Sequence, residues 1–239
     1  MMTPDPADIP AGPDRLLALL AEGRVTRGRW TGTDALGRRT LCALSALSDE
    51  VASAESAYAC PAELMPSWVA HVVPWMDDAT SPEARGGILL RLGELAGRWG
   101  VLDGAAWESV RVGWLADDVL PEALSHVTTD EWGVRAAVER VRAALRSGDA
   151  EELWAAGDAA GAARAAAWDA AARAAGDAAA RAAGDAAWDA AARAAARDAG
   201  AAARAARAAW AAGDAAADRL SAALLDRIEG AITAAGGAA

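Results

Sequence analysis

Ser81-Pro82-Glu83-Ala84-Arg85-Gly86-Gly87-Ile88-Leu89-Leu90-Arg91-Leu92-Gly93-Glu94-Leu95-Ala96-Gly97-Arg98-Trp99-Gly100 decides the fold class. A Ser that can cap is followed by Pro at the first helical position and then by an acid against the helix dipole. Ile88, Leu89, Leu92 and Leu95 recur at helical spacing, and Gly100 stops the run near Trp99. The stretch predicts a helix with one buried side.

The same pattern repeats outward in both directions. Pro13 and Asp14 open a helix carrying Leu16, Leu17, Leu19 and Leu20, and Gly23 ends it. Leu41, Leu44, Leu47 and Val51 predict another from about Arg39 to Ser53. Between these, Arg24 to Arg39 is rich in Gly and Thr and reads as a loop rather than a ribbon around Trp30. Pro66 opens a helix with Trp68, Val69, Val72 and Val73, and Pro74 stands where it would kink or end that helix. Asp103 caps a helix through Trp107, Val110 and Trp114, Pro121 restarts a short one, and Thr129 opens one that Ser147-Gly148 closes. No strand is expected. After a loose N-terminus (1–12), residues 13–148 are read as an irregular helical domain with a Leu, Val and Trp core.

Composition then changes. Of 72 Ala in the 239 residues, 47 lie from Glu151 onward, so residues 149–218 form a low-complexity array. Its recurring word is Ala-x-Asp-Ala, with x a Gly, Trp or Arg. These three differ by one base in GC-rich codons, which points to a slipped repeat in a high-GC genome. Ala has the highest helix propensity, and Asp169/Arg173, Asp177/Arg181 and Asp189/Arg193 are favourable i,i+4 pairs. No apolar stripe runs through the array, so two forms are expected: one long helix, or a helical hairpin folded near Gly200. At 219–235 an amphipathic helix returns through Leu220, Leu224, Leu225, Ile228 and Ile232, suited to docking on the first domain or on a second copy. The fold class is all-α.

The chain has a net charge of −11 and no Lys. Nucleic acid is therefore not an expected partner, because phosphates need a basic face. A basic protein is. No apolar stretch is long enough to cross a membrane. The Met1–Asp8 start lacks a basic and an apolar signal region, so a cytoplasmic location is expected.

No catalytic or cofactor motif is found, and the protein reads as a non-enzyme without cofactors. Asp77-Asp78 and Asp117-Asp118 are the residues a hard Mg²⁺ would choose, since it prefers carboxylate oxygens. The His-Asp pairs and Lys that usually accompany such acids in helical hydrolases are missing. Cys42, Cys60 and His71 lack zinc-ligand spacing. Trp is in clear excess. Trp30, Trp68, Trp75, Trp99, Trp107, Trp114 and Trp132 are expected as core or rim anchors. Trp154, Trp168, Trp188 and Trp210 have little apolar sequence around them and are the partner-binding candidates.

The array from Ala167 to Asp177 resembles the Ala/Trp/Asp/Arg repeats of uncharacterised high-GC bacterial and phage proteins, some labelled as immunity proteins of toxin systems. Cys60-Pro61-Ala62-Glu63-Leu64-Met65-Pro66-Ser67-Trp68, Pro74-Trp75-Met76-Asp77-Asp78 and Arg98-Trp99-Gly100-Val101-Leu102 look like a motif set shared by one group of them. The resemblance implies an all-α fold and carries over no functional residue. The expected function is a non-enzymatic protein–protein interaction protein, an immunity-type or phage accessory factor. The alternatives are a self-assembling helical protein, associating through Leu220, Leu224 and Ile228, and a Mg-dependent hydrolase using the Asp pairs.

Overall fold

The structure, a computed structural model, describes residues 5, 8–125, 134–148 and 191–237, with 123, 134, 137 and 191–212 by their backbone alone. Among these residues it is all-α apart from one small ribbon. Two compact units are present: residues 1–111 with 213–239, and residues 112–212.

Helix α1 (Pro13–Ala21) begins at its Pro and buries Leu16 and Leu19. Gly23 ends it in the left-handed conformation at φ +67°, where the N–H groups of Gly23 and Arg24 close onto the carbonyls of Leu20 and Leu19. The chain then makes an antiparallel ribbon, β1 (Thr31–Thr33) and β2 (Arg39–Leu41), with Thr31 opposite Leu41 and Thr33 opposite Arg39. This corrects the loop expected from Arg24 to Arg39. Asp34 makes the turn, its Oδ1 accepting the N–H groups of Leu36 and Arg38, and Gly37 supplies a positive φ. The same hydrogen bonds, that from the Arg38 N–H foremost, hold the Asp34 carboxyl below its usual range.

The helix expected from Arg39 to Ser53 is two short ones, α2 (Ala43–Leu47) and α3 (Asp49–Ala54). Ser48 is extended between them and its Oγ accepts the Val51 N–H. A Ser oxygen gains more as a cap than inside a helix, which is why the chain breaks there. Helix α4 (Ser67–Ala79) runs through Pro74 without stopping, and helix α5 (Pro82–Ala96) starts as its sequence predicts, Ser81 Oγ accepting the Ala84 N–H at 3.1 Å. Gly93 lets α5 approach α1 closely: a Cβ there would lie 2.8 Å from Leu17 Cδ2. A 3₁₀ turn (Trp99–Val101) leads to helix α6 (Gly104–Gly113), whose cap is Asp103, Oδ1 accepting from Ala106.

Two arginines that no hydrophobic pattern marks lie inside the first unit. Arg15 is 2% exposed and donates to the carbonyls of Ser45 and Ala46 and to Asp49, closing the C-terminal end of α2. Arg24 is 1% exposed and grips the Arg39 carbonyl through Nε and a terminal nitrogen, with Asp5 and Glu22 neutralising it. A guanidinium presents five N–H donors in a fixed planar fork, against three on an ammonium, so it can hold several acceptors spread along its edge.

In the second unit a π-helical turn (Trp114–Val119) precedes α7 (Leu120–Ser125), and α8 (Val134–Ser147) is tied to that turn by Arg142 Nε on the Ala116 carbonyl at 2.7 Å. The last helix, α9 (Ala191–Gly236), is continuous, so the turn allowed near Gly200 does not occur and 219–235 is the end of a longer helix.

The 213–236 part of α9 belongs to the first unit. Ala217, Leu224, Leu225, Ile228 and Ile232 are buried there, at helical spacing. Asp218 accepts the Ser81 N–H at 2.8 Å, and Arg91 of α5 pairs with Asp226 and Glu229. The stripe therefore docks on the chain's own first domain. Leu224 and Ile228, expected to serve self-association with Leu220, lie inside the core.

Candidate functional site

The acidic pair Asp77-Asp78 sits at the end of α4. Consecutive residues of a helix point about 100° apart, and these two diverge accordingly. Asp77 turns inward and is 1% exposed. Its Oδ1 accepts from Arg85 Nε at 2.7 Å, and its Oδ2 from the Ala43 N–H, at the start of α2, at 3.2 Å. Arg85 reaches on to the carbonyls of Val25 and Thr26. One ion pair thus joins α2, α4, α5 and the entry to the ribbon. Burial pushes the Asp77 carboxyl up, and Arg85 opposes that. Asp78 faces outward, where its Oδ1 accepts the Gly28 N–H at 2.7 Å and its carbonyl takes the Arg27 guanidinium.

Asp117 and Asp118 belong to the second unit, where Asp117 pairs with Arg146. Of the carboxylates that sequence singled out for a cation, Asp77, Asp78 and Asp117 are thus engaged with arginines or backbone. Among the described residues no group of three His, Cys, Asp or Glu comes together to hold a metal.

Beside Asp77 and Asp78 lies a small cleft of about 130 Å³ that also takes in Trp30 and Cys42. Cys42 caps α2, its Sγ accepting the Ser45 N–H at 3.3 Å, and burial pushes its thiol up. Burial does the same to Cys60. A thiol held protonated is a poor nucleophile and a poor metal ligand. His71 holds Nδ1 2.7 Å from the Ser67 carbonyl and meets Tyr58 edge-on at 4.5 Å. Cys42 and His71 thus have local structural jobs.

A larger feature is formed by tryptophan. Trp68 stands on the first turn of α4, Trp99 opens the 3₁₀ turn after α5, and Trp107 lies one turn into α6. Asp103 sets the start of α6, its carbonyl accepting the Trp107 N–H at 3.0 Å, and so fixes the direction in which Trp107 leaves the helix. Trp107 is the middle of the three. It meets Trp99 at 5.7 Å and 68°, and Trp68 at 6.2 Å and 78°. Both are edge-to-face contacts, the arrangement that the indole quadrupole favours.

The three indoles line a groove of about 440 Å³, with Leu64, Met65 and Pro66 along one side. That volume falls in the ordinary range of binding clefts, about 300–1,000 Å³. Gly100 and Gly104 leave it open, and Glu63 and Glu108 stand at it as exposed carboxylates. Among the described residues its lining contains two acids and no base.

The tryptophans that sequence put forward for partner binding are different ones. Trp154, Trp168 and Trp188 lie outside the described residues, and Trp210 is described only by its place in α9. Trp68, Trp99 and Trp107 were expected as core or rim anchors, and they are that, but they also converge on one groove. The Trp excess was the only signal of it. Spacings of 31 and 8 residues have no helical period, so the convergence was not legible. No helix among the described residues is long and apolar enough to cross a membrane. No family model matches the chain, and no curated protein or solved structure is significantly similar to it.

Proposed function

We propose that this protein acts by binding another protein without chemistry of its own, as an immunity-type or phage accessory factor does. The groove of Trp68, Trp99 and Trp107 is the observation that carries the reading. Trp68 is half-buried at the groove and rests on Trp107, itself buried with Trp99, and a tryptophan so held is a usual anchor of a protein interface, because it buries a large rigid area at little entropic cost. The net charge of −11 suits a basic partner and would speed its approach.

Self-assembly draws less support, because Leu224 and Ile228 are buried against the chain itself. A Mg-dependent hydrolase draws less as well, because Asp77 is held by Arg85 and Asp117 by Arg146. The test is co-purification of the full chain from its native host. One protein recovered in a fixed ratio is the expected result. A chain that comes away with no protein bound overturns the reading.

A further inference from the structure

The groove has a chemical character that narrows what it can hold. Its floor is apolar and aromatic, and among the described residues its only charged lining residues are Glu63 and Glu108. Glu108 is shared with Arg111 at 2.6 Å, whereas Glu63 makes no ion pair among the described residues. Indole faces attract cations through their quadrupole, and a carboxylate beside them adds to that attraction. A guanidinium suits this setting better than an ammonium, because it is weakly hydrated, stacks on indole and pairs with a carboxylate through two N–H groups.

Resting on the protein-binding reading, we propose that the groove receives a segment of a basic protein that carries an arginine next to an aliphatic side chain. The aliphatic group fills the space along Leu64 and Met65. The guanidinium lies against the accessible part of the Trp68 indole and reaches Glu63. Such a segment matches both halves of the lining, and an acidic or purely apolar segment matches at most one.

The experiment uses the full chain and two synthetic probes. One is a 14-residue amphipathic peptide of Leu, Ala and Arg. The other has every Arg replaced by citrulline, which keeps the shape and removes the charge. Binding is followed by calorimetry and by the indole N–H resonances. The Arg peptide is expected to bind, to shift the Trp68 signal, and to weaken as salt rises. The citrulline peptide should bind roughly tenfold more weakly. Glu63→Gln, an exposed loop change that leaves the core alone, should weaken the Arg peptide severalfold and leave the citrulline peptide unchanged.

Equal binding of the two peptides, no effect of Glu63→Gln, or no binding of either peptide overturns the inference. Co-purification separates this from the broader reading. If a host protein stays bound to the chain while the peptides fail to discriminate, the cation preference falls and protein binding stands. If the peptides discriminate but the host yields no partner, the cation preference stands and protein binding falls.

Discussion

Asp77 and Glu63 are both acids beside aromatic side chains in the first unit, yet their surroundings are opposite. Asp77 is sealed, and both its oxygens have donors in the chain. Glu63 faces water and makes no ion pair among the described residues. The first kind of acid holds elements together. The second is available to something outside. Sequence alone offered Asp77, with Asp78, as a cation ligand, because paired Asp residues suggest a metal, and gave Glu63 no role. Burial gives Asp77 a structural role instead, since a buried carboxylate must be satisfied by the fold itself.

The largest effect expected from breaking this contrast is at Trp107. It links the groove to the core through both indole contacts. Trp107→Ala should cost about 3–5 kcal/mol in urea denaturation and abolish partner binding. A loss below about 1 kcal/mol would mean that the three indoles are not packed together.

Next comes Arg85→Leu, which leaves Asp77 buried without its cation. The expected cost near neutral pH is about 3 kcal/mol, reduced from the fully buried case because Arg85 is partly exposed. Its pH dependence has a definite sign. The folded state already holds the Asp77 proton more tightly than the unfolded state, so this group lowers stability as pH rises from about 4 through its folded pKa. Removing Arg85 raises that pKa further. The variant should therefore recover part of its lost stability on acidification, relative to the parent chain. Denaturation midpoints measured across the acid range check this, and parallel curves would show that Asp77 does not feel Arg85.

Ser221 sharpens the rule that a buried polar group needs a partner. Its hydroxyl is fully buried in the docked part of α9 and has no hydrogen-bond partner among the described residues. Ser221→Ala should raise stability by about 1 kcal/mol, read as a higher denaturation midpoint at unchanged slope. Smallest in stability is Glu63→Gln, within about 0.5 kcal/mol of the parent chain. Its effect belongs to binding, and a large loss of stability would place Glu63 with Asp77 instead.

Helix starts were the most legible part of this chain. Ser81-Pro82-Glu83, Asp103, and Pro13 with Asp14 each act within one turn of themselves, and each works as read. Gly23 ends α1 for an equally local reason. The misreadings come where local preference is balanced. Leu41, Leu44 and Leu47 fit one helical face, but Ser48 does better as a cap and the Asp34 turn draws Arg39 to Leu41 into a ribbon. Arg15 and Arg24 look like surface residues, because nothing beside them in sequence shows the carbonyls they will meet.

By itself the sequence determined that this is a helical protein, where most of its helices begin, and that Leu224 to Ile232 needs an apolar surface. Those properties depend on capping, periodicity and the loss of water from apolar side chains, all of which act over a turn or two. Only the tertiary structure decided that the surface is the chain's own first unit, that Asp77 is a structural acid, and that three tryptophans far apart in sequence share one groove. Those outcomes depend on which side chains meet across elements, where direction, burial and the need to satisfy each polar group are settled together.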